Sequence, residues 1–221
     1  MESDKIATLL KEKRHDASII PELEVHLDAQ IKNNGYDLDA NLALLKLYQF
    51  NSKESKATCI VKVLIKALMN LPHPDFTTCL YMVPLQLQVE EQQVVLLKRL
   101  WKNLETAKFS KFWALTEEEE GNALLQPIPG FSAAIREFIA HLLGLAYQTV
   151  SKQLLQEVLR LDGSSLDDFI NKHSSWQNQG DHVALPLTEF NQAKQKKINE
   201  NIEMQQMTKI LANLSARHPT K

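Results

Sequence analysis

One stretch of the chain is apolar on nearly every side of a helix. Residues 38–50 carry the sequence LDANLALLKLYQF, and after Asp39 only Asn41, Lys46 and Gln49 interrupt its apolar surface when it is plotted at about 100° per residue. An α-helix with apolar residues on more than one side needs neighbours on each of those sides, because a surface helix keeps a polar face. The stretch therefore predicts a central helix within a stacked array of helices.

The end of the preceding helix and the start of this one are marked in the sequence. Gly35 is placed where a glycine commonly closes a preceding helix, and Pro21 fits the first position of that preceding helix. Asp37 or Asp39 can accept hydrogen bonds from the free amides at the start of the next helix. The two ends predict a short junction between two helices near residue 35.

The whole part of the chain before residue 126 is predicted to form at least five helices, in an irregular, HEAT-like array without a residue-level repeat. Only six glycines and eight prolines occur among 221 residues, which favours helices over many short strands. In residues 52–70, Lys62 and Lys66 mark a narrow solvent-facing stripe. Residues 85–105 predict one longer helix, and Thr106 is the expected cap of the helix that follows.

Downstream of a linker the pattern changes. Two prolines and one glycine in residues 126–131 interrupt the helical run. Three helices are then predicted, the second closed by Gly163 and the third opened by a capping box of Ser164 and Asp167. Their expected ranges are 131–150, 151–163 and 164–174.

A β-hairpin is expected after the third helix. A polar turn at residues 178–181 precedes the alternating apolar residues Val183, Leu185 and Leu187. Three helices followed by a hairpin is the order of a winged helix. The predicted fold is therefore mainly α, with a helical-repeat domain at 1–128, a winged-helix domain at 129–190, and a C-terminal amphipathic helix and tail at 191–221.

The C-terminal segment carries a single apolar stripe. Its members recur three or four residues apart, as expected for one face of a helix. A terminal helix with such a stripe needs a neighbouring surface, either in its own chain or in a partner. The predicted partner-binding residues are Ile198, Ile202, Met204, Met207, Leu211 and Leu214.

The motifs of common enzyme classes are missing from the sequence. There is no GxxxxGK[ST], GxGxxG or HExxH motif, and no two histidines lie closer than nine residues. Cys59 and Cys79 have no zinc-ligand spacing, so buried free thiols are expected, and a disulfide between them is the less favoured alternative. His141 lies in an apolar helix and is expected to be a core histidine. The sequence predicts no enzyme, no cofactor and no metal site, although distant histidines could still meet in the fold.

The charge distribution disfavours a nucleic-acid-binding winged helix. Residues 131–190 hold four basic and seven acidic residues, and Asp167 and Asp168 lie on the helix that would enter a DNA groove. The tail, residues 191–221, holds six basic and two acidic residues. Weak RNA contact by the tail stays open, but a polar helix face explains the same charges.

Targeting segments are not recognised in the sequence. The N-terminal residues are charged and lack the apolar centre of a signal peptide, and no window approaches about 18 consecutive apolar residues. We expect no membrane span and a cytoplasmic location, with the nucleus as an open alternative.

Several stretches together resemble one family. These are YDLDANLALLKLYQFN, KALMNLPHPDFTTCLYM, FSKFWALTEE, IPGFSAAIREFIAHLLGLAYQTV and SSWQNQGDHVALPL, which follow one another over roughly residues 35–210. They are similar to the subunit K family of eukaryotic translation initiation factor 3. The layout of a helical repeat, a winged helix and a terminal helix also resembles scaffold subunits of the proteasome lid and the signalosome.

The resemblance implies a non-catalytic, regulatory subunit of a large cytoplasmic complex. In that family the subunit pairs with subunit L, and the complex binds the small ribosomal subunit during assembly of the pre-initiation complex. Direct RNA binding is expected to be weak or absent. A sister subunit of the lid or the signalosome, and a nucleic-acid-binding winged-helix protein, are the alternatives.

Overall fold

The computed structural model describes residues 2–193 and 204–217, and most of these residues are helical. Nine α-helices and one short 3-10 helix, Ala17–Ile19, lie before residue 126 of the described chain. The helices are α1 (Glu2–Lys13), α2 (Ile20–Lys32), α3 (Leu38–Phe50), α4 (Ala57–Met69), α5 (Asp75–Met82), α6 (Leu85–Glu90), α7 (Gln92–Glu105), α8 (Phe109–Glu117) and α9 (Glu119–Leu125).

The following segment has the winged-helix order. Its elements are α10 (Phe131–Ala146), β1 (Thr149–Ser151), α11 (Lys152–Leu159), α12 (Gly163–Lys172), β2 (Gln177–Gln179) and β3 (His182–Ala184). The three strands form an antiparallel sheet in the order β1-β3-β2, so β3 is central and the two other strands are edges. The mainly α fold predicted from the sequence is confirmed.

Helix α3 occupies the central place that its sequence predicts. It packs against α1, α2, α4 and α5. Asp37 is the N-cap, and its Oδ1 accepts a hydrogen bond from the Ala40 amide at 3.1 Å, whereas Asp39 pairs with Arg14. Of the polar residues that interrupt the apolar surface, Asn41 is itself buried, and its side chain exchanges hydrogen bonds with Gln30.

The junction before α3 differs from the expectation in one detail. The residue in the left-handed region is Asn34, with φ of 51°, and not Gly35. Asparagine is one of the few non-glycine residues that tolerate this conformation. Helix α2 thus ends at Lys32, one turn before the glycine that the sequence pattern favoured.

Lys66 is buried, which corrects the prediction of a solvent-facing stripe on α4. Its Nζ donates to Asn34 Oδ1 at 3.3 Å, and burial lowers the pKa of the amine. The physical reason is that α4 packs against α2, α5, α7 and α10, so that it is covered on more sides than its apolar pattern indicates. Lys62 stays partly exposed and pairs with Asp28 at 2.7 Å.

The single helix predicted over residues 85–105 is two helices. The chain is extended at Glu91, between α6 and α7. A one-residue interruption barely alters the spacing of apolar residues, so periodicity does not detect it. Thr106 closes α7 and does not open α8, since its Oγ1 donates to the Lys102 carbonyl at 2.8 Å.

Two caps in the winged-helix segment were predicted wrongly. Helix α11 ends at Leu159 and is capped by Arg160, which adopts φ of 53°, and Gly163 begins α12 instead of closing α11. The N-cap of α12 is Asp162, so Ser164 and Asp167 lie within the helix and form no capping box.

The first strand was also missed. The predicted helix over 131–150 ends at Ala146, and the short strand β1 follows. In the hairpin, Gln179 is paired with His182, which leaves Gly180 and Asp181 as a two-residue turn. Because β3 ends at Ala184, Leu187 lies beyond the alternating pattern that placed it in the strand.

The chain divides into two compact units, Met1–Asn191 and Gln192–Lys221. Within the second unit the structure describes α13 (Met204–Arg217), as the terminal apolar stripe predicted. The finer boundary near residue 128 stays a prediction.

Candidate functional site

The apolar stripe of α13 is exposed. The exposed fraction is 78% for Met204, 47% for Met207, 62% for Leu211 and 54% for Leu214. The spacing of three, four and three residues places these side chains on one face of the helix. Ile198 and Ile202 lie outside the described residues. The proposed role of the stripe in partner binding stays a prediction.

Ile210 belongs to the same face and was not predicted. It lies three residues after Met207 and four before Leu214, and its exposed fraction is 56%. The spacing alone could have revealed it. With Ile210 the apolar face of α13 is wider than the narrow seam of a two-stranded coiled coil.

A second group of exposed apolar side chains lies near the β-sheet. Tyr147 follows α10, and Leu187 and Phe190 follow β3, with exposed fractions of 46%, 66% and 76%. Hydrophobic periodicity does not identify these three residues as a group, because they lie in irregular segments that it does not describe.

Asn191 fixes the segment that carries this group. Its Nδ2 donates to the carbonyl oxygens of Gly144, Tyr147 and Pro186 at 2.9–3.1 Å, and its Oδ1 accepts from the Thr188 amide at 2.8 Å. One side chain thus connects the segment after β3 to the end of α10, which holds Leu187 and Phe190 on an ordered backbone.

A third group of exposed apolar side chains lies within the helical array. Tyr81, Leu85 and Val89 recur at four-residue intervals across the α5–α6 junction, with exposed fractions of 80%, 74% and 67%. Phe50, which the sequence placed on an apolar side of α3, is 69% exposed at the end of that helix and lies beneath the Lys46 ammonium at 4.9 Å. The array therefore presents apolar side chains near its α5–α6 edge.

Helix α12 presents acidic side chains where a DNA-binding winged helix presents basic ones. Asp167 and Asp168 are both exposed, and Asp167 has only a distant partner in Lys152, at 3.4 Å. Exposed carboxylates repel phosphates, which supply most non-specific affinity for nucleic acids.

His173 belongs to a hydrogen-bonded cluster of side chains on α10 and α12. His173 Nε2 lies 2.9 Å from Glu137 Oε2, Lys172 donates to Glu137 Oε1 at 2.6 Å, and the His173 ring stacks on Trp176. Burial alone would raise the pKa of Glu137, but these hydrogen bonds outweigh it and lower the pKa. The cluster connects α10 to α12. His141 is exposed, so its placement in the core was wrong.

The two cysteines are free and buried, as expected. Burial raises the pKa of the Cys79 thiol to about 12, so it stays protonated and is a poor nucleophile near neutral pH. Among residues 2–193 and 204–217, no three or more His, Cys, Asp or Glu side chains are grouped so that they could hold a metal ion. No helix in those ranges is long and apolar enough to cross a membrane.

Comparison with known proteins assigns the chain to a family. The model of the CSN8/PSMD8/EIF3K family matches residues 54–218, from the loop before α4 through α13. The match spans most of the helical array, the winged-helix segment and the terminal helix.

Three relatives carry the name eukaryotic translation initiation factor 3 subunit K. The protein from Danio rerio is 37% identical over 203 residues, covering 90% of each chain. Those from Drosophila mojavensis and Nematostella vectensis are each 36% identical, covering 90% of this chain and 89% and 91% of their own. The chain therefore belongs to the CSN8/PSMD8/EIF3K family and, within it, to the family of initiation factor 3 subunit K proteins.

Proposed function

We propose that the chain is a non-catalytic scaffold and regulatory subunit of eukaryotic translation initiation factor 3, which supports assembly of the pre-initiation complex on the small ribosomal subunit. The observation that carries this proposal is the 36–37% identity to subunit K proteins over 90% of the chain. The match to the family model, over residues 54–218, includes the three groups of exposed apolar side chains. The expected location is the cytoplasm, with the nucleus as an alternative.

The proposed mode of action is protein–protein contact through α13. Its exposed apolar face suits a neighbouring helix that supplies a matching apolar face, which is a common mode of recognition. We expect Ile198 and Ile202 to extend this face toward the preceding residues. Subunit L is the proposed direct partner, and the chain is expected to reach the small ribosomal subunit through the complex.

A catalytic role receives no support from the described residues. The Cys79 thiol is held protonated, and the Glu137–His173 pair is joined to Lys172 in a contact between helices. Direct RNA binding is proposed to be weak or absent, because Asp167 and Asp168 are exposed on α12.

Affinity purification of the tagged full-length chain from its own cells, followed by mass spectrometry, tests the proposed membership. We expect recovery of initiation factor 3 subunits, with subunit L among the most abundant. Recovery of proteasome-lid or signalosome subunits without initiation factor subunits would contradict the proposal and support the sister-subunit alternative. A tagged unrelated helical protein, expressed at the same level, controls for non-specific capture.

Nuclease treatment before the same purification distinguishes protein contacts from contacts bridged by RNA. We expect the set of recovered subunits to be unchanged. Loss of all of them after nuclease treatment would instead favour a nucleic-acid-binding protein, whose retention should also fall steeply with salt.

A further inference from the structure

A cavity of about 510 Å³ lies between the α8–α9 region and the winged-helix segment. It is distinct from the exposed apolar groups, and its lining is about half polar and half apolar. Two arginines, one from α10 and one at the end of α11, line the same space. Trp113 and Glu117 of α8 line it together with these arginines, Arg136 and Arg160.

Arg136 is held in place but is not neutralised. Its Nε donates to the Leu159 carbonyl at 3.0 Å, and its guanidinium carbon lies 5.3 Å from the centre of the Trp113 ring. Trp113 is in turn fixed, because its Nε1 donates to the Val158 carbonyl at 2.8 Å. Among the residues that the structure describes, no carboxylate pairs with Arg136.

Arg136 is partly buried, and this burial, with no carboxylate paired to offset it, lowers the pKa of its guanidinium. A guanidinium carries five N–H donors, and the Leu159 carbonyl uses only the one on Nε. The two terminal nitrogens therefore keep their donors for another acceptor. A partly dehydrated cation gains more from such an acceptor than one in open water.

Arg160 is the second arginine at the cavity, and its backbone conformation is uncommon for a residue other than glycine. It adopts φ of 53°, a left-handed region that is unfavourable for a non-glycine residue. Its Nε and Nη2 donate to the two carboxylate oxygens of Glu117 at 2.9 and 3.1 Å. The chain thus keeps an arginine at a helix end where glycine is normally favoured.

The acidic residues near the cavity do not cancel this charge. Glu117 is the one carboxylate among the lining residues, and Arg160 already neutralises it. Glu118 lines a different depression on α8, and Glu120 lines another one beside α4. The cavity consequently retains one uncompensated positive charge, at Arg136.

We propose that this cavity binds an oxyanion carried by a partner protein, a carboxylate or phosphate group, through the terminal nitrogens of Arg136. Guanidinium groups bind both oxyanions through two parallel hydrogen bonds. Arg136 and Trp113 are already fixed by the end of α11, so binding orders few additional groups. The site is independent of the proposed contact through α13.

Nuclear magnetic resonance of the full-length protein, labelled with ¹⁵N, tests this site. The reporters are the Arg136 Nε–H and Trp113 Nε1–H resonances, assigned by their loss or shift in the Arg136→Gln variant. Sodium phosphate and sodium acetate are the two probes, each titrated at constant ionic strength against sodium chloride. We expect saturable shifts of both resonances with at least one probe and none with chloride.

The two probes also distinguish the two sources of the oxyanion. Tighter binding of phosphate points to a phosphorylated partner segment, and equal or tighter binding of acetate points to an acidic one. Arg136→Gln is expected to weaken the Kd at least about tenfold, since a charged hydrogen bond is lost, and Arg136→Lys less. Arg99→Gln, an arginine beside a different depression, is the matched control and should change nothing.

The proposal is overturned if neither probe gives saturable shifts, or if the Arg136→Gln and Arg99→Gln proteins bind equally well. If circular dichroism shows that Arg136→Gln is unfolded, Arg160→Gln replaces it, because that side chain is exposed and lines the same cavity. Arg160→Gln should weaken the Kd at least about threefold, because it leaves the Glu117 carboxylate without its cation beside the site, and an unchanged Kd would then refute the site.

Discussion

Helices α3 and α13 are both rich in apolar side chains, yet they have opposite surroundings. Seven of the 13 residues of α3 are buried, and the helix packs against four neighbours. In α13 the residues Met204, Met207, Ile210, Leu211 and Leu214 are all exposed. The difference lies in how the apolar residues are distributed around each helix. An apolar surface on several sides requires the interior of an array, whereas a single stripe leaves one face for one neighbour.

The largest expected effect comes from placing a charge in α3. Leu45 is 2% exposed, and Leu45→Asp buries a carboxylate without a partner. We expect a loss of at least about 4 kcal/mol in the free energy of unfolding, enough to unfold much of the protein. Urea denaturation followed by circular dichroism measures the loss.

Leu211→Asp, the same change in α13, is the matched control. Because Leu211 is 62% exposed, the free energy of unfolding should change by no more than about 0.5 kcal/mol. If Leu45→Asp stays folded with an unchanged midpoint, α3 is not central to the array. If Leu211→Asp lowers the free energy of unfolding as much as Leu45→Asp does, the side chain of Leu211 is not exposed in solution.

A smaller change in the free energy of unfolding is expected at Lys66, whose amine is buried in the helical array. Lys66→Met replaces a dehydrated cation with an apolar side chain of similar length, and Asn34, its hydrogen-bond acceptor, is exposed to water. We expect the free energy of unfolding to rise by about 1 kcal/mol near neutral pH. Thermal or urea denaturation of both proteins over a range of pH measures the difference.

The sign of the pH dependence follows from the lowered pKa of Lys66. Between that pKa and the ordinary value of 10.5, the unfolded chain binds more protons than the folded one, so the stability of the unsubstituted protein rises with pH. The advantage of Lys66→Met should therefore shrink as the pH approaches 10.5. Lys209→Met, an exposed lysine on α13, should show no such trend, and an equal trend in both variants would refute the buried cation.

Much of the fold could be predicted from the sequence where one pattern spans several turns. The apolar surface of residues 38–50, the cap at Asp37 and the stripe of α13 all repeat at helical spacing. The errors occur where a single residue decides the outcome, as at Glu91, Asn34 and Arg160. A break or a left-handed residue changes the backbone without changing the periodicity of its surroundings.

The candidate surfaces were predicted less completely for a different reason. The stripe of α13 follows from local spacing, but the group of Tyr147, Leu187 and Phe190 depends on Asn191, which joins segments more than 40 residues apart. The cavity at Arg136 likewise combines α8, α10 and α11. Such groups depend on tertiary contacts, which hydrophobic periodicity does not contain.

The most direct test of the contrast between α3 and α13 combines binding with stability. Met207→Gln with Leu211→Gln removes apolar area from the stripe, and Lys209→Gln with Ala212→Gln makes two changes on the opposite face. Each tagged double variant is purified from cells, and the recovered initiation factor subunits are quantified against the unsubstituted protein, alongside the thermal midpoint of each purified chain. We predict that the stripe variant keeps its midpoint but loses most of the recovered subunits, while the control keeps both. Full recovery with the stripe variant would contradict the assignment of the exposed α13 face to partner binding.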